Sequence, residues 1–160
     1  IFDYAKSDIK SDFMDCFLIA NSEFVIGSPS GLSPFASMFG KSLCLVNFFT
    51  ASNCLGVRKG DITTFKKFRY KHDGSLVPFN KLMYKPFCPN PGPRELDKIK
   101  VYIEDNTEQE ILDTVKEYIE GRPFSPSALQ IKAKKMMIPS NYSYGAQGYH
   151  SNTVLRQYFL

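Results

Sequence analysis

Runs of apolar and polar residues divide the first fifty positions into two helices and two strands. Apolar side chains at Phe13, Met14, Phe17 and Leu18 recur at helical spacing and predict an amphipathic helix over residues 12–20. The apolar runs at residues 24–26 and 42–47 lack polar alternation, which is typical of strands buried on both faces of a parallel sheet. A helix with small side chains is predicted between these strands, over residues 32–39 and closed by Gly40.

The rest of the chain gives one strong helix signal and several weaker ones. Thr107 and Glu110 form a capping-box pattern, and the apolar residues after them predict a helix that ends at Gly121. Extended segments are predicted at residues 1–4, 62–71 and 101–103, and a short helix at residues 78–84. Loops are predicted at residues 48–60, 86–93 and 123–128.

The alternation of helices and strands with short links predicts an α/β fold, namely a Rossmann-like three-layer domain with a parallel sheet. We assign this domain to residues 1–128, with residues 61–85 as a candidate hairpin insertion. Residues 129–160 are interpreted as an irregular, aromatic C-terminal tail that packs back on the domain. Ligands of such sheets bind beyond the carboxyl ends of the strands, so residues 27–31 and 47–52 are expected at one edge.

The turn Gly27-Ser-Pro-Ser-Gly31 is the main candidate site, because it joins a strand to the start of a helix. Backbone amides, small hydroxyls and the helix N-terminus can together hold a phosphate or diphosphate. Ser28, Ser30 and Gly31 are the predicted phosphate contacts, and Gly27 is expected to serve the backbone conformation. The alternative is that the turn only packs strand against helix.

Two other phosphate or hydrolase motifs are excluded. A GxSxG nucleophile elbow needs serine where this chain has Pro29. Gly40-Lys41-Ser42 ends like a P-loop, but Phe35 stands where that motif needs glycine.

Composition and charge fit a globular protein with an anionic partner. The chain has 160 residues, of which 43% are hydrophobic and 22% charged, and its net charge is +4. Basic clusters at residues 66–71 and 132–135 are first interpreted as solvated faces; the functional alternative is attraction to a sugar nucleotide, a polyanionic acceptor or the inner membrane surface. No nucleic-acid motif, signal peptide or membrane-spanning run is visible, so a cytoplasmic location is expected, with peripheral contact at the inner membrane left open.

Cysteine and histidine spacing predicts no metal site. The four cysteines form no CxxC pair, which favours reduced thiols in a cytosolic core. His72 and His150 are far apart in the chain.

Several short motifs follow one another in a fixed order over nearly the whole chain. They are Asp3-Tyr4, Ser11-Asp12-x-Met14-Asp15-x-Phe17-Leu18, Phe24-x-x-Gly27-Ser28-x-Ser30-Gly31-Leu32, Phe39-Gly40, Asn47, Asp105-Asn106-Thr107-x-x-Glu110-Ile111, Gly148-Tyr-His150 and Phe159-Leu160. Together they resemble the C-terminal half of a bacterial family of GT-B glycosyltransferases found in surface-polysaccharide loci.

The resemblance implies the donor-binding half of a metal-independent GT-B glycosyltransferase. The nucleotide-sugar would be a substrate, with no cofactor, and its phosphates would lie at residues 27–31. In such enzymes the glycan or lipid-linked acceptor binds to an N-terminal domain, which also usually holds the catalytic base. That domain is missing here. We therefore assign no catalytic residue, and we expect a chain that begins at Ile1 to be a piece of a longer protein.

Weaker candidates for the donor's sugar or nucleoside come from three segments. Polar side chains after the extended segment 1–4 and at the end of the strand at residues 42–47 could reach the edge of the sheet where the turn lies. Two cations in the loop of residues 48–60 could neutralise a diphosphate. The candidates are Asp3, Tyr4, Ser7, Asn47, Thr50, Arg58 and Lys59. Helix capping, sheet-end packing and a solvated loop are the alternatives for these residues.

Two other functions stay open. One is a non-catalytic sugar-nucleotide or anion-binding module, or a subunit that supplies half a site. The other is a sugar-nucleotide epimerase of the same fold, which would need acidic and histidine groups that converge on the sugar.

Overall fold

The computed structural model describes residues 2–53, 56 and 58–160. The helices are α1 (Asp12–Asn21), α2 (Leu32–Met38), α3 (Pro93–Lys98), α4 (Glu108–Glu120), α5 (Ala128–Lys135) and α6 (Asn152–Phe159). The strands are β1 (Phe24–Gly27), β2 (Ser42–Phe48), β3 (Ile62–Phe65), β4 (Lys67–Tyr70), β5 (Val101–Glu104) and β6 (Tyr149–His150). Short 3-10 turns cover Tyr4–Lys6, Ala51–Asn53 and Phe79–Met83.

The fold is a Rossmann-like three-layer α/β arrangement, as the sequence predicts. Four strands lie in the order β1-β2-β3-β6, and each neighbouring pair is parallel. Alternate side chains of β2 enter separate apolar clusters: Leu43 and Leu45 pack with α2, and Cys44 and Val46 pack with α4. The continuous apolar run of β2 is thus explained by helices on both faces of the sheet.

A second, smaller sheet extends from the end of β3. The predicted extended segment 62–71 breaks at Lys66, so that β3 belongs to the parallel sheet and β4 pairs antiparallel with β5. The largest apolar cluster lies against this pair and includes Phe65, Phe68 and Phe79.

The interpretation of residues 129–160 as irregular is wrong. This segment contains α5 from residue 128, strand β6 and helix α6. Strand β6 pairs with β3 as the fourth strand of the parallel sheet. Side-chain caps explain the helices, because Ser127 accepts a hydrogen bond from Gln130 N and Ser151 accepts one from Thr153 N.

Two smaller predictions are also wrong. Residues 2–4 form no strand, since Tyr4–Lys6 is a 3-10 turn, and Ile1 lies outside the described residues. The proline-rich loop ends earlier than expected, because Pro93 starts α3, a position that suits its fixed backbone angle.

Helix α1 forms as predicted, but its apolar face is not buried. Phe13 is 73% exposed, and none of the residues of α1 is fully buried. Exposed apolar side chains continue onto α2, and we call the combined set the apolar face. Its members are Phe13, Phe17, Leu18, Leu32, Phe35, Met38 and Phe39.

Within the described residues, no helix has both the length and the apolar character needed to cross a membrane.

Candidate functional site

A groove of about 380 Å³ lies beside α2 on one face of the parallel sheet. The turn contributes Pro29 and Ser30 to its wall, and α2 contributes Ser33 and Ser37. The sheet side is apolar, with Leu45 and Phe48, while Asn53 and Tyr142 line the remaining wall. This groove is a concave, mostly apolar space with a few polar groups, which is the usual composition of a small-molecule site.

The turn between β1 and α2 presents its polar groups to solvent. Ser28, Ser30 and Gly31 are all exposed. Ser33 fixes the turn, because its hydroxyl donates to Ser28 O at 3.2 Å and its amide donates to Ser30 O at 3.2 Å. Within the described residues, neither the Ser28 hydroxyl nor the Ser30 hydroxyl bonds to the protein, so both can meet a ligand.

Gly27 and Gly31 are open to approach. A methyl group built on either glycine would meet no atom within 4 Å. Neither residue has a positive φ, and Gly31 has ordinary helical angles of −59° and −23°. The expectation that Gly27 is needed for an unusual backbone conformation is therefore wrong. Neither a close packing contact nor a positive φ requires glycine at these two positions.

Helix α2 contributes less positive charge to the turn than the sequence suggests. It has only seven residues, and Pro34 in its first turn carries no amide hydrogen. Any anion at this turn would depend mainly on the serine hydroxyls and on the backbone of residues 28–31.

Asn53 is a groove residue that sequence reasoning missed. Its Nδ2 donates to Pro89 O at 2.8 Å and to Asn90 Oδ1 at 3.0 Å, which fixes the side chain. Its Oδ1 is buried and has no hydrogen-bond partner within the described residues. An unpaired buried acceptor at a groove wall is costly, and a ligand hydroxyl or amine could satisfy it. The sequence shows that Asn53 follows a predicted strand, but it does not show that Asn53 Oδ1 lacks a hydrogen-bond partner within the described residues.

Asn47 and Thr50 are held by the protein itself. Asn47 N donates to Thr64 Oγ1 and to Asn106 Oδ1, both at 3.1 Å, and Asn47 Oδ1 accepts from Asn106 N at 2.8 Å. Thr50 is 1% exposed and donates to Pro89 O at 3.3 Å. In these positions both side chains serve packing at the end of β2 rather than the groove.

Arg58 lies at the wrong end of α2 for a role at the turn. Its guanidinium donates to Gly40 O at 2.8 Å and to Ser37 O at 3.4 Å, so it caps the C-terminal end of the helix. The turn precedes the N-terminal end, about 10 Å away for a seven-residue helix. Lys59 is exposed and lines a separate groove, described below.

The N-terminal candidates bond to one another. Tyr4 Oη donates to Ser11 O and accepts from Ser11 N, both at 3.0 Å. Ser7 Oγ donates to Tyr4 O at 2.7 Å, and Asp3 pairs with Lys6 at 3.5 Å. These contacts stabilise the approach to α1, and the structure does not place Asp3, Tyr4 or Ser7 on the groove wall.

The two histidines do not converge on the groove. His72 is in an exposed turn, 3.3 Å from Asp73. His150 is 2% exposed and packs edge-on against the rings of Phe65 and Phe79. Burial, together with the charge of Lys134, lowers the pKa of His150 to about 3. The paired acid and imidazole that an epimerase would need are therefore not assembled by these residues.

The described cysteines are free thiols. Cys44 and Cys88 are buried and Cys16 is half-buried, while Cys54 lies outside the described residues. Burial, with a smaller contribution from Glu117, raises the pKa of Cys44 to about 12, so this thiol stays protonated. Across residues 2–53, 56 and 58–160, no three His, Cys, Asp or Glu side chains group closely enough to hold a metal ion.

Comparisons of this chain with protein-family models, with curated proteins and with solved structures gave no match.

Proposed function

We propose that this chain binds the diphosphate of a nucleotide-sugar at the turn of residues 27–31, as the donor-binding half of a metal-independent GT-B glycosyltransferase. The observation that carries the proposal is the open turn: two exposed serine hydroxyls lie between two glycines that have empty space beside them. The resemblance of the ordered motifs supplies the substrate class, and the Rossmann-like sheet agrees with it.

The groove supports the proposal by providing space next to the turn. Its volume of about 380 Å³ falls in the range of small-molecule sites. Ser30 belongs to both the turn and the groove wall, so a ligand held by its phosphate at residues 28–31 would lie along the groove. The buried Oδ1 of Asn53 would accept a hydrogen bond from the sugar or nucleoside.

The proposed reaction is displacement at the anomeric carbon of the donor. An acceptor hydroxyl forms a bond to that carbon, and the bond to the phosphate oxygen breaks with its electron pair on the leaving diphosphate. The role of Ser28, Ser30 and the backbone of Gly31 is to stabilise that developing charge by hydrogen bonds fixed in advance. No residue is assigned as the base that takes the acceptor's proton.

A non-catalytic sugar-nucleotide module is the second candidate. The described groove-lining residues include serine, asparagine and tyrosine but no carboxylate or imidazole. Such a lining suits binding without proton transfer. The two candidates differ in turnover, since only an enzyme would release nucleoside diphosphate from a nucleotide-sugar when an acceptor is supplied.

The decisive experiment separates ligand approach from folding. Calorimetric titration with a panel of nucleoside diphosphates and nucleotide-sugars is expected to give saturable binding. Gly31→Ala is expected to keep or raise stability by roughly 0.4–1 kcal/mol, because Gly31 has helical angles and open space. The same change is expected to weaken binding at least tenfold, because the methyl group occupies the approach to the backbone.

Ser30→Asp provides a charge test, with Ser125→Asp as its control. Both serines are exposed, but only Ser30 lies at the turn. We expect Ser30→Asp to abolish binding through charge repulsion, and Ser125→Asp to leave it unchanged. A folded chain that binds none of the panel, or equal losses in the two variants, would contradict the phosphate role.

A further inference from the structure

A second groove, of about 430 Å³, shares no described lining residue with the first and is lined by two cations. Lys59 comes just before β3, and Lys134 lies near the end of α5. The remaining wall is formed by Pro126, Tyr149 and the loop of residues 145–147. None of these described lining residues is acidic, so the charge of the groove is positive.

Lys134 is a partly buried cation in the wall of this groove. Its ammonium lies 4.0 Å from the centre of the Tyr149 ring and donates to Gly148 O at 3.3 Å. Within the described residues it makes no ion pair with a carboxylate, and burial alone lowers its pKa. The cation–π contact and one carbonyl offset only part of the cost of removing this charge from water.

Lys59 adds a second, exposed charge to the same groove. It too makes no ion pair in the part of the chain that the structure describes. Two like charges facing one cavity repel each other, and an anion between them would remove that repulsion and supply a counter-ion to Lys134. The aromatic ring of Tyr149 and the ring of Pro126 give the cavity an apolar wall beside the cations.

We propose that this groove binds a phosphate group between Lys59 and Lys134, with room on the Pro126 and Tyr149 side for the organic part of a small phosphate ester. The site is separate from the turn of residues 27–31, and the proposal does not depend on the donor-binding function. The phosphate could come from a soluble ester or ion, or from a lipid headgroup; the proposal takes the soluble ligand, because a groove of about 430 Å³ matches the size of small-molecule sites.

The test is a titration of the folded chain with inorganic phosphate and with phenyl phosphate at constant ionic strength. We expect saturable binding of both ligands, with phenyl phosphate the tighter because its ring can contact Tyr149. Lys134→Gln is expected to weaken binding at least tenfold, and Lys59→Gln several-fold. Lys135→Gln is the matched control, because Lys135 is on the same helix but lines a different groove; its affinity is expected to stay within twofold of the unchanged chain.

The outcomes separate this site from general charge attraction and from the turn. Equal losses in Lys134→Gln and Lys135→Gln, or no saturable binding, would overturn the proposal. If Lys134→Gln lowers the stability of the fold, the phosphate affinity of the Lys59→Gln variant decides whether the groove binds phosphate, because Lys59 is exposed. Binding that appears only with vesicles containing phosphatidic acid, and never with the soluble ligands, would also overturn it. Phosphate binding that survives Gly31→Ala would confirm that the site is independent of the turn.

Discussion

The hydrogen bonds of Asn47 are made within the protein and stabilise the fold. Asn47 has a left-handed backbone with φ of 60°, its side-chain Oδ1 accepts from Asn106 N, and its backbone amide donates to Asn106 Oδ1. Asn106 is 6% exposed, accepts from Thr64 Oγ1 at 2.7 Å and donates to Phe65 O at 3.0 Å. These bonds fix the end of β2 against the start of α4.

Two substitutions of Asn47 separate its backbone role from its side-chain role. Asn47→Ala loses the hydrogen bond and places a side chain with no compensating bond at positive φ, so we expect a loss of about 2 kcal/mol. Asn47→Gly loses the hydrogen bond but tolerates the backbone angle, so we expect about 1 kcal/mol. Urea denaturation of both variants measures the difference, and a glycine variant less stable than the alanine variant would contradict this account.

At the residue scale, the sequence shows which side chains are polar, but not which of them already have hydrogen-bond partners within the protein. Ser28 and Ser30 were recognisable because a turn after a strand is exposed in almost any α/β fold. Thr50 and Arg58 could not be excluded from sequence, because their partners, Pro89 O and Gly40 O, are brought to them by tertiary folding. The unpaired Oδ1 of Asn53 is likewise a property of the packed structure.

Glu117 connects three helices. Its carboxylate accepts from Asn152 N at 3.0 and 2.9 Å and from Ser151 Oγ at 2.7 Å, which places a negative charge at the start of α6. It also accepts from Gln130 Nε2 at 3.0 Å, on α5. A residue in the last turn of α4 thus fixes the positions of the two helices that follow it.

Glu117→Gln is expected to cost about 2 kcal/mol, since it removes a charge-assisted acceptor and turns an NH₂ group toward donors. Glu120→Gln is the control, because Glu120 is exposed on the same helix, and its effect is expected to stay within about 0.5 kcal/mol. Chemical denaturation measures both variants. Equal effects would show that Glu117 does not hold α5 and α6.

At the element scale, the helices and strands with the strongest local sequence signals were the ones predicted correctly. Helix α4 has a capping box and a long apolar stripe, and it begins and ends as predicted. Helices α5 and α6 have caps of similar type, but only eight residues each, so their apolar pattern is short beside the many aromatic and basic residues. Strand β6 has two residues, which is too few for any periodicity, and only its pairing with β3 identifies it.

The small sheet is joined to α4 through a cluster of charges around Lys67. This lysine is 2% exposed, and its ammonium lies 2.6 Å from Glu104 and 2.8 Å from Glu110. Burial raises the pKa of both carboxyls, but Lys67, together with Arg69 at Glu104 and with Thr107 and Gln157 at Glu110, outweighs it, so the pKa of each is lowered. The cluster connects β4 and β5 to α4.

The chain is expected to lose stability as pH falls through the acid range. A carboxyl whose pKa is lowered on folding contributes stability above its unfolded pKa of about 4.3, and that stability is lost as pH falls through the lower folded value. Unfolding free energy measured from pH 6 to pH 3 is expected to fall, most steeply below about pH 4.

Lys67→Met tests whether this cluster causes the loss. We expect it to cost roughly 3 kcal/mol at pH 7, the lower end for breaking a buried ion pair, and to flatten the acid profile. Lys71→Met is the control, because its partner Asp97 is largely exposed. An acid profile that is equally steep in the Lys67 variant would contradict the assignment.

The apolar face is a property of the whole molecule that the sequence did not predict. An amphipathic pattern indicates which residues share a face, but not whether the fold supplies anything to cover it.

With Phe13 at 73% and Met38 at 78% exposed, we expect the native chain to bind the hydrophobic dye ANS. The double change Phe13→Ser with Met38→Ser is expected to reduce the fluorescence at least twofold, whereas Leu112→Ser on α4 leaves it nearly unchanged. Equal reductions would mean that the dye binds elsewhere.

The pairing of β6 with β3 has a consequence for how the chain is made. Roughly 80 residues separate the end of β3 from β6, so a ribosome working at about 5–20 residues per second needs on the order of 4–16 s to supply the partner strand. During that interval the nascent chain carries an open β3 edge that can pair with other polypeptides. We therefore expect the yield of folded protein to depend on translation speed and on chaperones that shield this edge, even though the finished fold pairs it.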